Sequence, residues 1–219
     1  MKRTISLIAL IFAFCITASA QANWANYARY EEANKAVTKT PKAVFMGDSI
    51  TDFWCLNDPE FFEKNNFLGR GISGQVTGQM VLRFRRDVCD HKPKYAVIFG
   101  GINDIAQNMG EISLEDTFGN IVTMLQLCRA NRIKPVVCLL FPTTSIGWRK
   151  ELTGISEKVE TFNSMVSAYA REHNIPVVEY FKDVDRSSGR LPAELSQDSI
   201  HPTADGYKMM EAEILKYLK

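Results

Sequence analysis

The sequence predicts an α/β fold, a three-layer α/β/α sandwich built on a five-stranded parallel sheet. Three observations point there. Short apolar runs of strand length alternate with stretches of a dozen or more residues at helical spacing, the order that covers a parallel sheet on both faces. Each clear apolar run ends in a small polar cluster, where sites in such sheets are built. No internal repeat or long linker divides the 219-residue chain, so one domain over residues 21–219 is expected.

Taken in order, residues 23–38 read as an amphipathic helix that ends before Pro41. Residues 42–47, Lys-Ala-Val-Phe-Met-Gly, form a short apolar run stopped by Gly and Asp. Residues 66–70 are a weaker strand, and residues 78–90 a helix with Met80, Leu82, Phe84 and Val88 among its charges. Residues 95–99, Tyr-Ala-Val-Ile-Phe, are again a buried type of strand, closed by Gly100-Gly101. Residues 113–131 show helical spacing at Ile121, Leu125 and Cys128, with Ser113 as N-cap and Asp116 at the third helical position. Residues 135–141 give the fourth strand and residues 155–174 a helix. Pro176 to Val178 begin the fifth strand, and residues 203–218 close the chain as a helix.

Composition narrows the function classes. With 46% hydrophobic and 23% charged residues the chain is neither disordered nor of low complexity. A net charge of +1, from 26 basic and 25 acidic side chains, gives no electrostatic case for nucleic acid or an anionic membrane surface. Lys2 and Arg3, the apolar run 5–16 and Ala18-Ser19-Ala20 have the order of a secretory signal peptide, 1–20, cleaved after Ala20. The run is shorter than the roughly 20 apolar residues of a membrane span, and the bulky Phe14 before Cys15 disfavours a lipid anchor there. The expected product is therefore exported, periplasmic or extracellular, with no integral membrane span. Cys55, Cys89, Cys128 and Cys138 remain, without C-x-x-C or zinc-like spacing. Cys128 and Cys138 lie in apolar runs and read as buried small hydrophobes, while their pairing is open.

Four small polar clusters carry chemistry: Gly47-Asp48-Ser49-Ile50, Gly71-Ile72-Ser73-Gly74, Gly100-Gly101-Ile102-Asn103-Asp104 and Asp198-Ser199-Ile200-His201-Pro202. Strand ends of a parallel sheet face one side, so the clusters can converge. Ser49 offers a hydroxyl at a tight strand-to-helix turn, exposed at a helix N-terminus. His201 offers a base that titrates near neutrality, and Asp198 can orient it. Asn103 brings an amide donor, and Gly74 and Ser49 bring backbone N–H groups, together able to hold an oxyanion. Singly, each has a plain structural explanation: Ser49 as a cap, Asn103-Asp104 as turn chemistry, His201 as the lead-in to a helix. His91 and His173 fit a turn and a helix end. Three scattered His without clustered carboxylates argue against a metal site. It is the ordered set that points to catalysis.

These four blocks resemble those of the SGNH hydrolases, the GDSL-like lipase/esterase family, from Lys42 to the closing helix. The continuation Thr51-Asp52-Phe53-Trp54 looks most like the branch related to platelet-activating-factor acetylhydrolase and bacterial sugar-ester hydrolases. The resemblance implies a flavodoxin-like fold and a serine esterase that needs no cofactor. It implies Ser49 as nucleophile, His201 as base, Asp198 as its orienter, and Ser49, Gly74 and Asn103 as oxyanion donors. Ile50 stands where the family has Leu. Gly71 competes with Gly74 for the second block, and Gly74 is preferred because it follows Ile-Ser. The substrate expected is a small-molecule or glycan ester with a short acyl group, because residues 51–65 and 143–154, the longest insertions at the site, form no apolar wall. A lysophospholipase or thioesterase would need a long apolar groove. A non-catalytic binding module would not need the full set of polar residues. Trp54, Trp148, Tyr180 and Phe181 are candidate wall residues.

Overall fold

The computed structural model describes residues 23–185 and 187–219; the expected signal peptide lies outside them. Two runs with every residue buried, β1 (Ala43–Gly47) and β3 (Tyr95–Phe99), pair in parallel from Ala43 opposite Tyr95 to Gly47 opposite Phe99. Full burial on both faces is what a continuous apolar strand demands. Strand β2 (Phe67–Gly71) pairs on the other side of β1. Beyond β3 come β4 (Lys134–Cys138) and β5 (Val177–Val178). The order β2-β1-β3-β4-β5, all parallel, is the flavodoxin-like one, with its switch point between β1 and β3.

Helices cover both faces. On one, α2 (Ser49–Asn57) and α3 (Pro59–Asn65) meet the last helix, α8 (Ala204–Ile214). Trp54 stacks on Phe61 and Tyr207 at centroid distances of 5.5 and 5.8 Å, and Phe45 of β1 meets Trp54 edge-on. On the other, α4 (Thr77–Asp87) packs against α6 (Leu114–Ala130), which packs against α7 (Ile155–Glu172). Helix α7 buries Ile155, Val159, Phe162, Val166 and Ala170, one stripe at helical spacing. Ser113 caps α6 by accepting the Asp116 N–H at 3.0 Å, as the sequence predicts. The short α5 (Ile102–Ile105) follows β3.

Three expectations are corrected. Residues 23–38 are not one helix but a 3₁₀ turn, Tyr27–Tyr30, and the five-residue α1 (Glu31–Lys35). Asn26 takes a left-handed backbone conformation, and the carbonyls of Trp24 and Ala25 accept from the Gln79 and Gln75 side chains. Those bonds dock the arm instead of coiling it. Residues 51–65, expected as a site insertion, are helical and feed the aromatic core with Trp54, Phe61 and Phe62. Strand β4 stops at Cys138, not residue 141, because the Asn163 side chain captures both the N–H and the C=O of Leu140 at 2.9 Å. The four described cysteines are free thiols, and burial pushes the Cys138 thiol up to about 12.

Candidate active site

The site sits over the switch point. Strand β1 runs out at Gly47, and the chain turns at once into α2, so Ser49 is its first residue. Asp48 caps that helix, its Oδ1 accepting the Ile50 N–H at 3.0 Å. The same turn is pinned from the far end of the chain by Tyr207, whose hydroxyl donates to the Ile50 carbonyl at 2.8 Å. Helix α8, capped by Thr203, therefore brings the preceding residues 198–202 against Ser49.

Ser49 Oγ lies 2.9 Å from His201 Nε2, and His201 Nδ1 lies 2.7 Å from Asp198 Oδ2. The other oxygen, Asp198 Oδ1, accepts the N–H groups of Ile200 and His201 at 2.9 and 2.7 Å. Partial burial works against ionisation of Asp198, but the hydrogen bonds from the His201 ring and the two N–H groups outweigh it. They hold the carboxyl well below the usual carboxylate range. An ionised carboxylate only accepts, so Nδ1 carries the imidazole proton and Nε2 is free to accept from the Ser49 hydroxyl. A base so placed can take the hydroxyl proton as the oxygen attacks. Ser199 holds this turn with a left-handed φ of 62°, a strained conformation for a non-glycine residue that costs about 1 kcal/mol or more.

Contrary to the expectation of exposure, Ser49 is only 7% exposed; Asn103 is buried as well. Asn103, in α5, donates from Nδ2 to the Gln75 carbonyl at 3.0 Å. Among the described residues the backbone N–H groups of Ser49 and Gly74 make no hydrogen bond, so they remain available to a ligand. The two glycines of the second cluster separate cleanly. A Cβ on Gly71 would lie 2.2 Å from the Asp52 nitrogen, whereas one on Gly74 would meet nothing within 4 Å. Gly71 is thus the close approach of β2 to α2. Gly74, at φ 78°, forms the open turn.

Buried Arg83 ties these parts together. It donates to the carbonyls of Gly47 and Arg70 at 3.0 and 2.8 Å and to the Gln75 side chain at 2.6 Å, and pairs with Asp87 at 3.0 Å. Asp104 accepts the N–H and hydroxyl of Thr77 at 2.9 and 2.6 Å, joining the turn after β3 to α4. Burial pushes the carboxyls of Asp48 and Asp104 up to about 6. Asp48 Oδ2 has no hydrogen-bond partner among the described residues.

Two spaces flank the site. A chamber of about 10 Å³ is lined mainly by apolar side chains, among them Ile50, Ile102 and Ile200, each next in sequence to a site residue, with Phe141, Thr143 and Ser199 also in its wall. A more open recess of about 320 Å³ presents polar groups of Asn26, Ser73, Gln75, Gln79 and Asn108 among apolar surface that includes Ile72 and Met109. A cleft of about 680 Å³ beside Asn163 and Arg171 is larger but holds none of the site residues. Of the candidate wall residues only Trp148 borders the site, its ring centroid 6.1 Å from that of His201. Trp54, Tyr180 and Phe181 are buried in the core. Phe53, which sequence reasoning missed, lies 5.3 Å from the His201 ring; its position four residues after Ser49, one helical turn on, is the signal that places it there.

The fold is of the flavodoxin-like α/β kind found in the SGNH hydrolases. The chain belongs to the GDSL-like lipase/acylhydrolase family, whose profile matches residues 45–209, and it hydrolyses ester bonds. It is similar to a GDSL-like lipase from Bacteroides thetaiotaomicron at 39% identity and a TM-score of 0.85, covering 89% of this chain and 98% of that one. It aligns over 205 residues with the isoamyl acetate-hydrolyzing esterase of Saccharomyces cerevisiae at 24% identity, 81% of this chain and 86% of that protein. A catalytic mutant of an acetylxylan esterase from Geobacillus stearothermophilus shares the fold at a TM-score of 0.66 and 17% identity, over 83% of this chain and 95% of that one. Among the described residues no helix is long and apolar enough to cross a membrane.

Proposed function

We propose that this protein is an exported serine esterase that removes acetyl or similarly short acyl groups from the hydroxyls of carbohydrates. The observation that carries the chemistry is the chain Ser49–His201–Asp198, at 2.9 and 2.7 Å. Ser49 Oγ attacks the ester carbonyl while its proton passes to His201 Nε2, and Asp198 steadies the imidazolium. The oxyanion is met by the N–H groups of Ser49 and Gly74 and by Asn103 Nδ2. As the intermediate collapses, Nε2 returns the proton to the departing alcohol. Water then attacks the acyl-enzyme by the same route and releases the carboxylic acid and free Ser49. No cofactor enters this scheme.

The two spaces support the substrate. The chamber beside the site turns, at about 10 Å³, is no larger than a single water needs, so a long acyl chain finds no apolar wall there from which to gain its ~0.8 kcal/mol per CH₂. The alcohol lies where Nε2 can protonate it, between Phe53, Trp148 and the open recess with its scattered polar groups. Aromatic faces beside hydrogen-bonding walls suit a sugar ring, apolar on its faces and hydroxylated at its rim. The Saccharomyces cerevisiae relative is likewise an esterase of an acetate. Export rests on the leader pattern of residues 1–20.

The test is fluorophosphonate labelling together with acetate release from acetylated sugars. Labelled wild type, unlabelled Ser49→Ala and release from the sugars are the expected results. A Ser49→Ala variant that still turns over esters would refute the mechanism, and indifference to acetylated sugars would refute the substrate.

A further inference from the structure

The Asn103 amide is gripped on both sides. One Nδ2 proton goes to the Gln75 carbonyl at 3.0 Å, and its Oδ1 accepts from Asn108 Nδ2 at 2.8 Å. Asn108 also reaches the Gly74 carbonyl at 3.3 Å, and its own N–H returns to the Asn103 carbonyl at 3.0 Å. Its Oδ1 accepts from Trp148 Nε1 at 2.9 Å. The loop bearing Trp148 is fastened to the same segment by Arg149, which donates to the carbonyls of Ala106 and Gln107 at 2.6 and 2.9 Å.

We propose that Asn108 is a positioning residue for ester hydrolysis, fixing the sense and plane of the Asn103 amide, and that Trp148 holds Asn108 in place from the alcohol side of the site. The inference rests on the oxyanion role assigned to Asn103. An amide can present either its NH₂ or its oxygen to a developing oxyanion, and the wrong face repels it. With Oδ1 engaged by Asn108 and one proton by Gln75, the second Nδ2 proton is the one left over, and it has a single direction. The donor is thus oriented before the substrate arrives, which is the condition for a large electrostatic contribution to the rate. The Trp148 N–H is spent inward, while its half-exposed ring remains free to face the alcohol.

The experiment is a double-mutant cycle on p-nitrophenyl acetate with kcat and KM measured separately. Asn108→Ala is expected to lower kcat about 10-fold or more while KM stays within about 2-fold, because only the transition state feels the amide's orientation. In the Asn103→Ala background the same change should cost less than about 2-fold, since there is no amide left to orient. Equal losses in both backgrounds, or a rise in KM with kcat unchanged, would overturn the proposal. Trp148→Phe keeps an aromatic face but removes the N–H together with the five-membered ring that bears it, and serves where Asn108→Ala does not fold. It should lower kcat about 3-fold alone and not at all beside Asn103→Ala, and no loss in either background would overturn the relay. Retained activity in Ser49→Ala, or an undiminished rate in Asn103→Ala, would instead bring down the underlying mechanism.

Discussion

Replacing Asp48 by Asn removes a charge the fold has to bury. Burial pushes this carboxyl from 3.8 up to about 6, and at about 1.4 kcal/mol per pH unit that gap corresponds to roughly 3 kcal/mol. The sign follows from the direction. The folded state holds the proton more tightly than the unfolded chain, so the stabilisation is complete below about 3.8 and is lost as the pH rises through about 6. Asn has no charge to bury and keeps the cap on the Ile50 N–H. Its amide lands where Oδ2 has no partner, at a cost of about 1–3 kcal/mol that does not vary with pH. The variant should therefore be less stable than wild type at pH 4. It should gain on wild type by roughly 3 kcal/mol between pH 4 and 7, and run parallel to it above. Urea unfolding followed by the fluorescence of buried Trp54, at each pH unit from 4 to 8, reads this directly. A stability difference constant across that range would refute the reasoning.

Ser49→Ala and His201→Ala should each cost about three or more orders of magnitude in kcat, with the double variant little worse; losses that multiply would place the two residues in separate steps. On p-nitrophenyl esters, kcat/KM should peak from acetate to butyrate and fall by octanoate, and Ile102→Ala should move the peak to longer chains by opening the apolar chamber. A profile that rises to C12 would favour a lipase or thioesterase. Gly74→Ala should fold, losing about 1 kcal/mol to its positive φ, whereas Gly71→Ala should not reach the native state, because its Cβ meets backbone; circular dichroism melts distinguish the two.

Much of this was legible because burial writes itself into short runs. The strands at residues 42–47 and 95–99 are apolar throughout, and the structure buries every residue of β1 and β3. The polar clusters were legible as an ordered set because topology carries all parallel strand ends to one side. Aromatic residues misled, since sequence does not say which way a ring faces: Trp54, Tyr180 and Phe181 turned inward. The helix α3 had a signal that went unread, Asp58 as cap with Pro59 at the first helical position. Asn108 carried none, because its contacts with Asn103, Gly74 and Trp148 span 5, 34 and 40 residues and exist only once the sheet has assembled them.

Arg83 bears on how the molecule wears out. A single guanidinium with no exposed surface holds the carbonyl of Gly47 at the end of β1, that of Arg70 one residue before the end of β2, and the side chain of Gln75. Loosening the turn that carries Ser49, or the one that carries Gly74, means stranding that cation in the interior, which costs several kcal/mol. Partial damage at these turns is thereby discouraged: a molecule either keeps both or surrenders them along with helix α4. Heat inactivation and loss of secondary structure should then trace a single curve, with no warm population that is folded yet idle, and residual turnover becomes a count of intact molecules.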